Sequence, residues 1–266
     1  MKQASLFFLL SFAILFANRS FAQNSRSLSI DQFNVPVDNL MLLDSVAGGR
    51  MIYTAVMDIA MRDNESGSVI KTFYAGLLNN KQLNLSIKTT DASGKVFEER
   101  VYVNAIVQEI LLPVMDAADK NMMKIQVKIR ANSLSLKNDG LSSVKMASPG
   151  RAAVMTANYR LTLGGLPAKR IAKIGSIRIV NNQLSTFSLE VSETDAGPWQ
   201  NWLLSQASKK EQGMIEWLAP NMQDVIFRID LYEVDIISAG GNYVNNSQAI
   251  QRVNFGLRGK VGIGKY

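Results

Sequence analysis

The stretch TFSLEVSETDAGPWQNWLLS, residues 186–205, contains the clearest combination of strand and helix in this chain. Apolar and polar residues alternate from Phe187 to Ser192, which is typical of a strand with one buried face. An acidic turn follows. The Gly-Pro pair after it predicts a short helix from about Pro198 to Ser205, because proline is tolerated in a first helical turn. A long strand ending near Ile237 completes the unit.

The helix of this unit carries two tryptophans. Trp199, Trp202 and Leu203 stand at positions i, i+3 and i+4, and therefore share one helical face. We expect this face to pack onto the sheet, because tryptophan buries a large apolar area. Stacking on a carbohydrate is the alternative that the residue type leaves open.

The pattern of the first half of the chain also predicts strands. A glycine ends the turn Asp91–Gly94, where a positive φ is tolerated. Pro113 ends the longest strand, which is too long to be flat, because proline cannot donate to a central ladder. Extended segments are predicted at Met51–Met61, Val69–Tyr74, Leu83–Ile87, Val96–Leu112 and Met123–Ile129.

The second half repeats the arrangement. The apolar residues of its longest strand change parity after Leu231, which predicts a β-bulge near that residue. Besides the opening stretch, strands are predicted at Tyr159–Leu163, Ile174–Ile179, Val225–Ile236 and Val253–Leu257.

These patterns predict a mainly β protein with two tandem small domains. Each is an antiparallel β-barrel or β-sandwich, with a short helix in at least the second. Residues 23–140 form the first β domain, and residues 153–266 form the second with its Gly/Asn-rich tail. Residues 141–152 are rich in small and turn-forming residues and are predicted as a linker. Residues 23–50 are interpreted as a polar leader with a short apolar segment, Leu40–Leu43.

The N-terminus has the pattern of an export signal. Lys2 is followed by the apolar run Leu6–Ala17 and by small residues that predict cleavage after Ala22. Residues 1–22 are therefore predicted as a signal peptide, and the mature protein as periplasmic or extracellular. The run is too short for a stable membrane span, although an uncleaved anchor is the alternative. Gln23 and the absence of cysteine exclude a lipid-anchored lipoprotein.

The composition excludes several classes of function. The 266 residues are 47% hydrophobic, which is enough to fill a core, and they include no histidine and no cysteine. Triads of the Ser-His-Asp or Cys-His type, histidine-ligated zinc and disulfides are therefore impossible. Removing residues 1–22 lowers the formal charge from +7 to +5. The basic residues are spread along the chain without interleaved aromatics, so no nucleic-acid partner is predicted.

Carboxylate pairs and Ser-Lys pairs are the remaining options for catalysis. Adjacent residues of a strand point to opposite faces, so Glu98 and Glu99 make a poor pair. Asp116 and Asp119 flank a turn and are expected to cap it, and no calcium loop with ligand spacing surrounds them. Glu190/Glu193 is the third close pair. We predict no enzyme activity, no catalytic residue, no cofactor and no metal site.

The two halves end alike, with a proline-containing connector before a long strand. The segments are Leu112–Asp116 before Met123–Ile129, and Leu218–Met222 before Val225–Ile236. This order resembles the tail-tube family of contractile phages and the related Hcp tube proteins of type VI secretion. The residues that carry the resemblance are Leu85–Ser133 with its Asp91-to-Gly94 turn and Asp116-Ala117, and Phe187–Ser205 with its tryptophan helix.

The resemblance implies small β-barrels with one short helix, which assemble into hexameric rings that stack as tubes. A doubled domain implies a pseudo-sixfold ring made by three copies. The first hypothesis is therefore an exported, non-enzymatic structural protein that self-associates through edge strands into a ring or tube. Homo-oligomers and other exported or envelope proteins are the expected partners, and the mature chain is expected to have no membrane span. The alternative is a periplasmic or cell-surface β-sandwich that binds glycan or protein through aromatics such as Tyr243 and Phe255.

Overall fold

The computed structural model describes residues 24–62, 64–138, 153–181, 183–205, 210–242 and 252–262. The predicted signal peptide, the predicted linker 141–152 and Tyr243 lie outside the described residues. The described chain is mainly β with two helices, which confirms the predicted fold class.

The first half contains nine strands and one helix among the described residues. They are β1 (Ser25–Ile30), β2 (Phe33–Leu42), β3 (Ser45–Ala47), β4 (Arg50–Ala60), α1 (Asn64–Leu78), β5 (Leu83–Thr90), β6 (Val96–Leu112), β7 (Met115–Asp116), β8 (Lys124–Ala131) and β9 (Ser133–Lys137). The second half contributes β10 (Tyr159–Leu163), β11 (Ile171–Ile174), β12 (Ile177–Val180), β13 (Gln183–Leu184), β14 (Phe187–Ser192), α2 (Glu193–Leu204), β15 (Glu211–Leu218), β16 (Val225–Asn242) and β17 (Arg252–Gly262).

Six strands of the first half close into an antiparallel barrel. The order around it is β1, β2, β4, β8, β6 and β5, and β5 pairs with β1 again. The closing ladder places Leu28 opposite Ile87, and both side chains are buried. Closure gives every barrel strand a neighbour on each side, which removes free sheet edges.

The second half forms a ladder of six strands that does not close in the same way. Its order is β10, β15, β16, β17, β14 and β11, all antiparallel. The short strand β7 pairs antiparallel with β11. Strand β10 pairs with β15 alone among the described residues. An opening therefore separates β10 from β11.

The two halves exchange strands and share a core. Strand β12 pairs with the end of β6, where Ile179 lies opposite Ile110, and β7 pairs with β11. Helix α1 also bridges the halves. The Tyr74 hydroxyl donates to the Gly262 carbonyl at 2.9 Å, and the Tyr74 ring meets Phe227 edge-on with centroids 5.8 Å apart. The domain limits 23–140 and 153–266 stay predictions.

Two interpretations of the first half are wrong. Residues 23–50 are not a leader, because they supply β1 and β2 to the barrel and also form β3. Leu28, Ile30, Val35 and Val37 alternate inward and are buried. The segment Val69–Tyr74 is helical, and its buried apolar residues recur at helical spacing: Val69, Ile70, Phe73, Tyr74 and Leu77. Their β-branched start suggested a strand, but tertiary burial of one helical face decides the structure.

The second half differs from expectation in two elements. Helix α2 begins at Glu193, five positions before Pro198, because Glu193 and Asp195 complement the positive end of the helix dipole. Strand β15 was not predicted, since Glu216 stands in its apolar run and is itself buried.

Most other predicted strands are confirmed, including β6 with both of its ends as predicted. The parity change in β16 is also confirmed. The register with β17 shifts between Tyr232 and Asp235, and Glu233 adopts a left-handed φ of 49°. The bulge lies two residues beyond Leu231.

We predict unequal effects for the same substitution in the two helices. In Gly67→Ala the new Cβ meets the Ile226 carbonyl oxygen at 2.9 Å, so α1 is pushed off β16. We expect the free energy of unfolding to fall by about 1–3 kcal/mol. Gly197→Ala is the matched control in α2, where nothing beyond its chain neighbours lies within 4 Å. It should change the free energy of unfolding by less than about 1 kcal/mol, because the gain in helix propensity is opposed by crowding of the new Cβ against Pro198. Urea unfolding measures both, and equal effects would contradict the packing described for α1.

Candidate functional site

The first predicted acidic pair is engaged by cations. Glu98 accepts from Arg100 at 2.8 Å, whereas Glu99 lies 3.8 Å from Lys88 and 3.7 Å from Lys137. Glu98 therefore pairs within its own strand β6, whereas Glu99 pairs with cations on the neighbouring strands β5 and β9. The contacts of Glu99 are cross-strand ion pairs of a sheet.

The second pair caps its turn, as predicted. The Asp116 carboxylate accepts from the Ala118 amide at 2.9 Å, and Asp119 accepts from the Asn121 amide at 2.9 Å. The bond from Asn121 is the main reason why the pKa of Asp119 lies below its usual value.

The third pair shows no catalytic geometry either. Glu190 accepts from Arg252 at 3.2 Å across the β14–β17 ladder. Within the described residues, no three acidic side chains gather in a way that could hold a metal ion. None of the described helices is long and apolar enough to cross a bilayer.

The aromatic side chains mostly form core. Trp199 is fully buried, donates to the Pro167 carbonyl at 3.3 Å and lies 5.7 Å from the ring of Phe255. This confirms the packing role predicted for Trp199, and Trp202 is partly buried beside it. Phe255 is itself fully buried, so of the two roles open to it, core residue or ligand-binding aromatic, it takes the first.

A two-stranded ribbon, residues 43–52, extends the β2–β4 ladder beyond the barrel. Its strands pair Val46 with Met51, and the tip is the two-residue turn Gly48-Gly49, in which both φ angles are positive. Such turns match the twist of a hairpin and favour glycine. Strand β8 pairs with β4 up to Tyr53 and not beyond it. Among the described residues, no third strand therefore pairs with the ribbon.

The ribbon exposes apolar side chains to solvent. Val46 is 68% exposed, Leu43 is 46% exposed and Met51 is 44% exposed. An isolated two-stranded hairpin is at best marginally stable in water. Exposed clusters of apolar residues on an unpaired strand are typical of association sites.

The opening between β10 and β11, which we call the cleft, is the second feature. Its volume is about 570 Å³, within the range of small-ligand and side-chain binding sites. No backbone ladder joins β10 to β11 among the described residues. A side chain bridges them instead, since the Tyr159 hydroxyl donates to the Ile171 carbonyl at 3.0 Å. The apolar lining includes Leu161, Leu166, Ala168, Ile171, Leu218 and Met222.

The backbone of Leu161 faces this cleft. The Leu218 amide donates to the Asn158 carbonyl at 2.9 Å, which fixes the hydrogen-bonding phase of the β10–β15 ladder. Bonded pairs alternate along antiparallel strands, so Arg160 and Thr162 bond to β15 and Leu161 points its amide and carbonyl outward. Neither group has a protein partner among the described residues, although Leu161 is only 6% exposed. Buried backbone groups are nearly always paired.

Charges lie around the rim of the cleft. Arg160 contacts Glu216 at 2.7 Å, whereas Lys169 is an exposed cation on the loop before β11. Met222 stands over the cleft with a left-handed φ of 57°, which a non-glycine residue seldom adopts. Burial raises the pKa of Tyr159 well above its usual value, so its hydroxyl remains a donor.

Sequence reasoning missed both features. A signal for the ribbon was present, since Gly48-Gly49 lies between apolar residues and predicts a tight hairpin. The cleft depends on which strands pair across the whole chain, and no local pattern encodes that.

Comparisons with known proteins give limited information. No family model matches the chain, and no curated protein matches it. One similar solved chain belongs to the "Cryo-EM structure of the anti-feeding prophage (AFP) baseplate, 6-fold symmetrised". The identity is 10%, the TM-score is 0.32, and the match covers 44% of this chain and 94% of that chain. The ribbon and the cleft are therefore the features from which a function is proposed.

We predict that Tyr159→Phe weakens the junction between β10 and β11. The substitution removes only the hydroxyl that bridges to Ile171, so the free energy of unfolding should fall by about 0.5–1.5 kcal/mol. Tyr53→Phe is the control, because the Tyr53 hydroxyl has no hydrogen bond among the described residues. Urea unfolding measures both variants. An unchanged stability for Tyr159→Phe would show that its hydroxyl does not hold the opening together.

Proposed function

We propose that this chain is an exported, non-enzymatic structural protein that self-associates into a ring or tube. The observation that carries the proposal is the ribbon, residues 43–52, which projects with exposed apolar side chains and an unpaired strand edge. A monomer gains nothing from such a ribbon, whereas a neighbouring copy could bury its apolar side chains and pair its edge.

The fold supports the same proposal. The closed barrel with α1 packed against it agrees with the small barrels that the tail-tube resemblance implies. The opening beside β10 leaves a second unpaired edge in the described chain. Two different unpaired surfaces on one molecule favour head-to-tail contacts, which generate closed rings or open filaments.

The chemistry of the side chains supports the non-enzymatic part. Without histidine or cysteine, catalysis would need carboxylates or a Ser-Lys pair, and the carboxylates predicted as pairs cap turns or neutralise cations. Export is proposed from the apolar run behind Lys2 and the cleavage pattern at Ala22. Assembly would then take place in the periplasm or outside the cell.

Light scattering of residues 23–266 at several concentrations tests self-association. We expect discrete multiples of the monomer mass, such as three or six copies. The double variant Val46→Lys, Met51→Lys should be monomeric, because it places charges on the exposed apolar face of the ribbon without touching the core.

Leu204→Lys is the matched control for this experiment. Leu204 is 75% exposed at the end of α2, away from the ribbon, so the variant should assemble like the unaltered protein. A monomer at every concentration would refute the proposed function. Full assembly of the ribbon variant would show that the ribbon is not the contact.

A further inference from the structure

We infer that the ribbon of one copy enters the cleft of the next copy and adds β3 as an antiparallel strand along β10. The inference rests on the proposed self-association and specifies the two surfaces that meet. It depends on two observations: matching unpaired backbone groups and matching apolar side chains.

The backbone groups of the two strands match in phase. The Leu43 amide donates to the Thr54 carbonyl at 2.9 Å, so bonded pairs within the ribbon fall at residues 43, 45 and 47. Val46 lies between them and therefore points its amide and carbonyl away from β4. Leu161 does the same on β10. Opposite each other, Val46 and Leu161 would exchange two hydrogen bonds.

The side chains match in the same register. Residues directly opposite in an antiparallel pair lie on the same face of the sheet. Val46 would therefore follow Leu161 to the inner face of β10, beside Leu166, Ile171 and Met222. Docking would thus cover the most exposed apolar side chain of the ribbon and would satisfy the unpaired backbone of a nearly buried residue.

The contact is heterologous, because the ribbon and the cleft are different surfaces of the same chain. Each copy would donate one ribbon and accept one, so copies add head to tail. The mode of contact is addition of a strand to an exposed sheet edge, in which backbone hydrogen bonds supply affinity and side-chain pockets supply specificity.

Disulfide trapping tests the register directly, since the chain has no native cysteine. In the inferred ladder Ser45 lies opposite Thr162 in a non-hydrogen-bonded pair, where Cα atoms are about 4.5 Å apart and within disulfide reach. Both residues are exposed in the single copy, so Ser45→Cys and Thr162→Cys should leave the fold intact. The two single variants of residues 23–266 are mixed and oxidised mildly.

We expect a covalent dimer on a non-reducing gel that disappears on reduction. Its yield should exceed by at least about tenfold the yield from Ser45→Cys mixed with Thr186→Cys, because docking raises the effective concentration of the paired thiols. Thr186 is an exposed threonine that does not line the cleft. Equal yields, or a dimer of Ser45→Cys with itself, would overturn the inference.

Light scattering of the same mixture before oxidation separates the two proposals. An assembled protein without the Ser45–Thr162 disulfide would refute the ribbon-in-cleft contact and leave self-association standing. A monomeric protein without the disulfide would refute both.

Discussion

Every strand of a sheet presents backbone amides and carbonyls that require partners, and this requirement shapes the molecule. In the first half the β1–β5 ladder meets it by closing the barrel, so all six strands have two neighbours. In the second half the ladder stops at β10, and Tyr159 bridges to Ile171 with a side chain instead of a backbone ladder. The contrast leaves one barrel without edges and one ladder with a specific unpaired edge.

The halves cannot separate without losing shared core. Strand β12 from the second half extends the sheet at β6, and β7 from the first half extends it at β11. Helix α1 lies between them, where Gly67 allows close approach to Ile226 and Tyr74 reaches Gly262. This shared core fixes the barrel that carries the ribbon relative to the ladder that carries the cleft. The proposed ring would require such a fixed separation between the ribbon and the cleft.

Local pattern was sufficient for elements whose burial follows a simple period. Alternation predicted β5 and β14, and Pro113 marked the end of β6. Polar and apolar residues also alternate through β1, but the serines around Leu28 make the segment polar overall, so it was interpreted as a leader. Helix α1 was misread because Val69 and Ile70 favour strands in isolation, while the contact of α1 with the barrel wall selects a helix. The ribbon had a local signal in Gly48-Gly49, but the cleft had none, since an unpaired edge is defined by the pairing of distant strands.

The outer edge of β10 is open in one copy, and the inferred contact would pair it in the assembly. Amide hydrogen exchange at Leu161, compared with Arg160 and Thr162 on the same strand, distinguishes these two states. In dilute monomer Leu161 should exchange rapidly while its neighbours, bonded to β15, exchange slowly. In the assembly all three should be slow. Slow exchange at Leu161 in the monomer, or unchanged fast exchange in the assembly, would contradict the account.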